Sequence, residues 1–236
     1  MSNALAFDDF KPFTTTCELR YKNAYLIYDR TGQIMQEMQG LFTNIAVAAA
    51  TPQASQFTAE EGTFNLEIAA TRYTTGRVGK HSEIFIHNCN SFFNSVIDRL
   101  EINIFTRIGL RCILKKEFQT EDEAKAALAA VPFPGSAPRK RFNIAEGPTE
   151  VLFRWEDKQI GAFVRLKAET TEVTINVQPE FRDVIPKFEK KLIGLTLDVD
   201  YYTVAPVERE KWIGHEWIPA KLRVIKKEVD GILQGA

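Results

Sequence analysis

The 236-residue chain has little cysteine, histidine or methionine, three of each. Cys17, Cys89 and Cys112 are odd in number, far apart and free of CxxC spacing. That excludes a disulfide frame and points to a reducing compartment. No run approaches the roughly 18 apolar residues of a membrane span. The opening MSNALAFDDFKPF has neither a basic n-region nor an apolar h-region, so no signal peptide, no membrane and a cytoplasmic location are expected. Charge of one sign is lacking too: 30 Lys and Arg against 31 Asp and Glu give a net charge of −1. Without a global basic field, any contact with nucleic acid must be made by a local patch. The common catalytic signatures are absent. Gly135-Ser136 sits between prolines and not in GxSxG, and there is no Walker loop or dinucleotide fingerprint. His215-Glu216 opens like HExxH, but Pro219 stands where the second histidine is required. No cofactor is expected.

What is present is ordinary globular composition, 44% hydrophobic and 26% charged, enough for one large domain or two small ones. The 17 phenylalanines fall mostly in strand-like segments and read as core. The centre of the chain is 102–118, INIFTRIGLRCILKKEF. Taken with period two, Ile102, Ile104, Thr106, Ile108, Leu110, Cys112 and Leu114 share an apolar face. Asn103, Phe105, Arg107, Gly109, Arg111 and Ile113 share the other. Arg107 and Arg111 flank Gly109, roughly 13 Å apart by strand rise. A glycine inside a strand marks a bulge or a close approach. Two arginines on a half-buried face require carboxylates, an anionic ligand or solvent.

Around this strand the pattern predicts a docked or frayed arm over 1–13 and a strand over 14–21. A helix follows over 25–42, which Gly32 splits or weakens by about 1 kcal/mol. Strands are expected over 44–51, 63–74 and 81–88, then a helix over 90–101 with Phe92, Phe93, Val96, Ile97 and Leu100 on one face. Thr120 with Glu123 forms a capping box for a helix ending near Ala130. Residues 131–148, VPFPGSAPRKRFNIAEGP, are the best linker candidate, so the expected division is 1–131, a linker 132–148, and 149–236. Beyond it, 150–155, 160–168 and 171–177 read as a three-strand meander. A short helix over 179–190 and a strand over 192–203 follow. The chain closes with a helical region from Pro206 that Pro219 kinks or restarts. Its stripe Ile218, Leu222, Ile225, Val229, Ile232 suits packing on a sheet.

Strand-strand-strand-helix-strand-helix thus describes both 44–130 and 150–235. The expected fold is α+β: two similar halves, with the βββαβα order repeated, of antiparallel sheet covered by helices. The arginine strand of the first half then corresponds to the aspartate strand of the second. Leu195, Leu197, Val199 and Tyr201 face one way there, and Thr196, Asp198, Asp200 and Tyr202 the other. Pseudo-symmetric pairing would set Arg107 and Arg111 against Asp198 and Asp200.

Arg107-Ile108-Gly109-Leu110-Arg111 and Leu197-Asp198-Val199-Asp200 together resemble an uncharacterised, sporadically distributed bacterial family of two-part α+β proteins of about this length. Cys112 departs from the aromatic residue expected after its first motif. The resemblance lends no activity. It implies an accessory gene of the kind found in defence or mobile-element systems.

Other constellations remain incomplete. His87 and Cys89 would share a strand face, but His81 lies about 20 Å away along an extended strand, and no second cluster supplies the missing metal ligands. Asp198 and Asp200 have the spacing of a single-ion nuclease site and would need a third carboxylate, for which Glu67 is a candidate. Gly76-Arg77-Val78-Gly79-Lys80 is either a plain hairpin or a loop offering N–H groups and cations to phosphate. Arg139-Lys140-Arg141, beside Phe142, is a solvated linker or a salt-sensitive contact to a nucleic-acid backbone. Trp212, Trp217 and Tyr201-Tyr202 form an aromatic neighbourhood that suits either an interface or the core. The leading expectation is a non-catalytic recognition or assembly protein that binds a partner protein or forms a homo-oligomer. The alternatives are a nucleic-acid-binding protein using Arg72, Arg77, Lys80 and Arg139 to Arg141, and a metal-dependent phosphodiesterase at Asp198 and Asp200.

Overall fold

The computed structural model describes residues 5–51, 53–76, 82–132, 148–174 and 189–235. Their centre is a long strand hydrogen-bonded on both sides, β6 (Ile104–Glu117), set in one antiparallel sheet. The other strands are β1 (Lys11–Tyr21), β2 (Ala46–Thr51), β3 (Ala54–Ala59), β4 (Gly62–Glu67), β5 (Ala70–Thr75), β7 (Glu150–Glu156), β8 (Ile160–Thr174), β9 (Glu189–Thr203) and the two-residue β10 (Val207–Glu208). Their order is β2-β3-β4-β5-β1-β6-β9-β8-β7, with β10 extending β9's side of β6. The helices are α1 (Ile27–Leu41), α2 (Ser82–Leu100), α3 (Glu121–Ala130) and α4 (Gly214–Gln234).

The α+β class and the antiparallel sheet covered by helices are therefore observed, while the repeat is not reproduced. The first half runs ββββαβα, and strands from both halves pair edge to edge, with β6 against β9 from Gly109–Tyr202 to Glu117–Gly194. Alternation makes the sheet one-sided. Cys17 and Leu19 of β1, Ile108, Leu110, Cys112 and Leu114 of β6, and Leu195, Leu197 and Val199 of β9 are buried. They form one core with Ile34 and Met38 of α1, Phe92, Phe93 and Val96 of α2, Leu128 of α3, and Ile218, Ile225 and Val229 of α4. The arm is docked rather than frayed over its described part: Leu5 and Phe10 are buried and the Phe7 amide donates to Asp230 of α4 at 2.7 Å. All three cysteines are reduced and buried, and burial pushes the Cys112 thiol up to about 12.

Several expected elements differ. Residues 82–88 are helix, not strand. Phe85, Cys89, Phe92, Phe93, Val96, Ile97 and Leu100 are buried at helical spacing, whereas Ile84 is exposed. Four residues of alternation fitted both periods, and the longer window decides. His87 is exposed and Cys89 buried, since positions two apart on a helix do not share a face. The stretch 63–74 is a hairpin, β4–β5, turning at Ile68-Ala69 with no glycine, proline or asparagine to announce it. β3 was not expected. β8 continues to Thr174 as one strand because β9 pairs with it throughout, from Ile160–Thr203 to Thr174–Glu189.

The helix expected over 179–190 falls mostly outside the described residues, and Glu189 and Lys190 begin β9. α1 runs unbroken past Gly32, where an added Cβ would meet nothing within 4 Å. α4 starts at Gly214, well after Pro206, and carries Pro219 inside it. In β6, Thr106 is an extra residue between the pairs Arg20–Arg107 and Tyr21–Phe105. This bulge switches faces: Phe105 is buried and Ile104 is 49% exposed, the reverse of simple alternation. Tyr201 and Trp212 are core, Trp212 against Phe93 and Phe105.

α1 and α2 are clamped by Glu37, whose carboxylate accepts from Arg99 Nε at 2.7 Å and from Ser95 Oγ. Arg99 and Ser95 hold the Glu37 carboxyl below its ordinary value. A depressed carboxylate stabilises the fold above its unfolded pKa and loses that contribution as pH falls through its folded value. Glu37→Gln should therefore cost about 0.5–1 kcal/mol at neutral pH, with the difference from wild type closing in acid. Urea unfolding at neutral and acidic pH checks this, and a pH-independent deficit contradicts it.

Candidate functional site

The second face of the sheet packs against no helix among the described residues, and it carries the charges. Alternation opposite Cys17, Leu19 and Tyr21 places Thr16, Glu18 and Arg20 of β1 on it. Arg72 and Thr74 come from β5, Arg107, Gly109 and Arg111 from β6, and Asp198, Asp200 and Tyr202 from β9. Because the neighbours of β6 are β1 and β9, its two arginines meet acids from either side. Arg107 donates through Nη2 to Asp200 Oδ2 at 2.7 Å and through Nη1 to Glu18 Oε1 at 3.3 Å. Arg111 grips Asp198 with both prongs, Nε to Oδ1 at 2.8 Å and Nη2 to Oδ2 at 2.7 Å. The expected arginine–aspartate pairing is present, but staggered. Arg111 lies directly across from Asp200 yet bonds Asp198, which sits across from Ile113.

The lattice extends outward. Glu18 also accepts from Arg20 Nε at 2.6 Å and lies 3.2 Å from Arg72 Nε, and Arg72 reaches Glu67 at 3.2 Å. On the other flank the Arg107 guanidinium lies over the Tyr202 ring, 4.3 Å from its centroid. The Tyr202 hydroxyl donates to Glu156 of β7 at 2.7 Å. Two glycines serve this arrangement differently. A Cβ on Gly161, opposite Tyr202, would run into that ring, so only glycine lets the tyrosine lie flat across β8. A Cβ on Gly109 would meet Arg107 Cζ at 3.7 Å, an ordinary contact. Gly109 is thus a floor beneath the arginine and marks no close approach, the bulge lying instead at Thr106.

Thr16, Glu18, Arg20, Arg72, Thr74, Arg107, Gly109, Arg111 and Asp200 enclose a shallow depression of about 360 Å³. Four guanidinium groups and two carboxylates line it. Burial pushes the Asp200 carboxyl above its ordinary value against the pull of Arg107, while Asp198 raises the pKa of Arg111.

Of the candidate residues, Arg107, Gly109, Arg111, Asp198 and Asp200 come together here. Arg77, Lys80, Arg139, Lys140 and Arg141 lie outside the described residues. Glu18 and Arg20 were missed, although the period-two reading of 14–21 already sets them together, opposite Cys17 and Leu19. Arg72, expected as a nucleic-acid contact, also lines this depression. Guanidinium groups occupy the directions from which a cation would approach Asp198 and Asp200. Among the described residues no group of three or more His, Cys, Asp and Glu side chains is arranged to hold a metal ion.

No protein-family model matches the chain, and no curated protein matches it. The family resemblance rests on the two strand motifs alone.

Asp198 is 5% exposed, while the Arg111 side chain is 53% exposed. Removing the arginine strands a buried charge, whereas removing the acid frees a guanidinium that can turn to water. Arg111→Ala should cost about 3 kcal/mol and Asp198→Asn about 1 kcal/mol. Equal losses in urea unfolding would contradict this ordering.

Proposed function

We propose that this is a non-catalytic recognition protein that docks an acidic segment of a partner protein on the open face of its sheet. The observation that carries the reading is the depression between β5, β1 and β6, where four arginines converge among ordered strands and offer more N–H donors than Glu18, Glu67, Asp198 and Asp200 take up. A guanidinium has five N–H donors, and the internal carboxylates use only some of them. Arg20 bonds Glu18 through Nε alone and is half exposed, and Arg111 keeps Nη1 free of its Asp198 grip. The internal acids therefore hold the guanidinium planes in place, so an incoming carboxylate meets donors whose ordering is already complete. The Tyr202 ring beneath Arg107 fixes that plane further.

This reading extends to an assembly role, with an accessory subunit of a defence or mobile-element system as its setting. A nucleic-acid backbone would use the same donors, so the test has two arms. Fluorescence anisotropy with a labelled poly-glutamate peptide and with a single-stranded oligonucleotide, at low and high salt, compares them. The peptide should bind more tightly, weaken with salt, and lose about tenfold in affinity in Arg20→Ala/Arg72→Gln, two partly exposed contacts at roughly 0.7 kcal/mol each. Peptide binding indifferent to that double substitution overturns the site. Tighter oligonucleotide binding with a steep salt slope transfers it to nucleic acid.

A further inference from the structure

Phe57 of β3, Phe64 of β4 and Tyr73 of β5 stand directly across from one another, and Tyr73 stands across from Cys17 of β1. All four are buried, with the Phe64 and Tyr73 rings stacked 4.7 Å apart. On the open face their backbone is therefore a floor between two rows of side chains that cross the same four strands in register. One row is Thr58, Thr63, Thr74 and Thr16. The other is Gln56, Asn65, Arg72 and Glu18. Two residues of strand rise set the rows about 6.8 Å apart, and three strand spacings make the trough between them about 14 Å long.

The trough opens into the arginine depression. Thr16 stands across from Arg111 of β6, and Glu18 across from Gly109, and Thr16, Thr74, Arg72 and Glu18 belong to the depression's own rim. The two ends differ in chemistry. Guanidinium groups crowd the β1 end, whereas the walls over β3 and β4 are uncharged. Thr16 and Thr74 bond each other at 2.9 Å. Thr58, Thr63, Gln56 and Asn65 are half-buried, and among the described residues their side chains have no hydrogen-bond partner. Each of these hydroxyls and amides can both donate and accept.

We propose that this trough seats the extended stretch of the partner segment next to its acidic anchor, so that the segment docked here is a cluster of acids adjoined by about four uncharged polar residues. The inference rests on the arginine depression holding the anchor. An extended backbone presents N–H and C=O groups along both edges, and the trough offers hydroxyls on one wall and amides on the other. At about 3.4 Å per residue, four residues span it. A further carboxylate over β3 and β4 would lose water and meet no cation there, which costs affinity. The depression selects the charge of the anchor, and the trough selects what adjoins it.

Fluorescence anisotropy separates the two by length. Labelled tri-glutamate reads the depression alone, and three glutamates joined to four serines, in either order, read both. The longer peptide should bind about tenfold more tightly in its better order, the yield of one or two net hydrogen bonds. Thr58→Val/Thr63→Val keeps shape and β-branching. It should bring the longer peptide to the affinity of tri-glutamate and leave tri-glutamate unchanged. Gln56→Ala/Asn65→Ala should do the same from the other wall, both variants keeping the wild-type far-ultraviolet circular dichroism. If tri-glutamate binds and the serines add nothing, or if the gain survives either pair of substitutions, the trough is overturned and the depression stands. If neither peptide binds, the depression fails and the trough with it. A six-nucleotide oligonucleotide that outbinds the longer peptide and is weakened by Thr58→Val/Thr63→Val assigns the trough to single-stranded nucleic acid and overturns the peptide.

Discussion

The structure depends on the strict alternation of a strand in a sheet whose described helices all pack on one face. β6 is the place where this constraint is tightest, because it has backbone partners on both sides. Its apolar set meets the helices and its guanidinium groups meet carboxylates on the opposite face. A slip of one residue would drive Arg107 and Arg111 under the helical layer and lift Leu110 and Cys112 out of it. The hydrophobic core therefore fixes the register, and the register places the charges. Within β6 the bulge at Thr106 departs from this alternation. It turns the first residues of β6 so that Phe105 enters the core beside Trp212, which seats the segment leading into α4.

The charges on the open face are a consequence of this frame more than a cause of it. Exposed ion pairs contribute little each, and the raised carboxyl of Asp200 shows that burial outweighs the attraction of its arginine. Their value is geometric. Glu18 gathers Arg20, Arg72 and Arg107 from three strands, so guanidinium groups that would otherwise sample many rotamers are held as a patterned surface. A surface with few internal motions to lose suits recognition of a flexible partner, whose own ordering is then the main cost.

The arginine–aspartate pairing was expected from a repeat that the chain does not show; what the alternation did make legible is that two long strands each carry their charges two or four residues apart on one face. The fold class followed from the same alternation. What escaped did so for local reasons. Residues 83–86 satisfy helix and strand periods alike, and only the phenylalanines further along decide. Ile68-Ala69 turns without the residues that usually mark a turn, so tertiary pairing imposes the reversal. Glu169-Thr170-Thr171 looks like a break in β8, but the equally long β9 carries the strand through it. Glu18 was hidden because the strand that bears it has no mirror in a repeated half, and β1 lies between β5 and β6 where a tandem repeat leaves no room for it.

The pairing of Gly109 with Tyr202 has a temporal side. As the polypeptide emerges, β6 can close against β1 at once, but its other flank has no neighbour until on the order of ninety further residues have been made, several seconds of synthesis at ordinary rates. Through that interval the middle of the future sheet is an unfinished border, with bare amides and carbonyls and an oily underside waiting for β9 and α4. A topology so rich in distant contacts folds slowly, and the newborn chain is most open to wrong associations at the strand that later becomes its best-protected one.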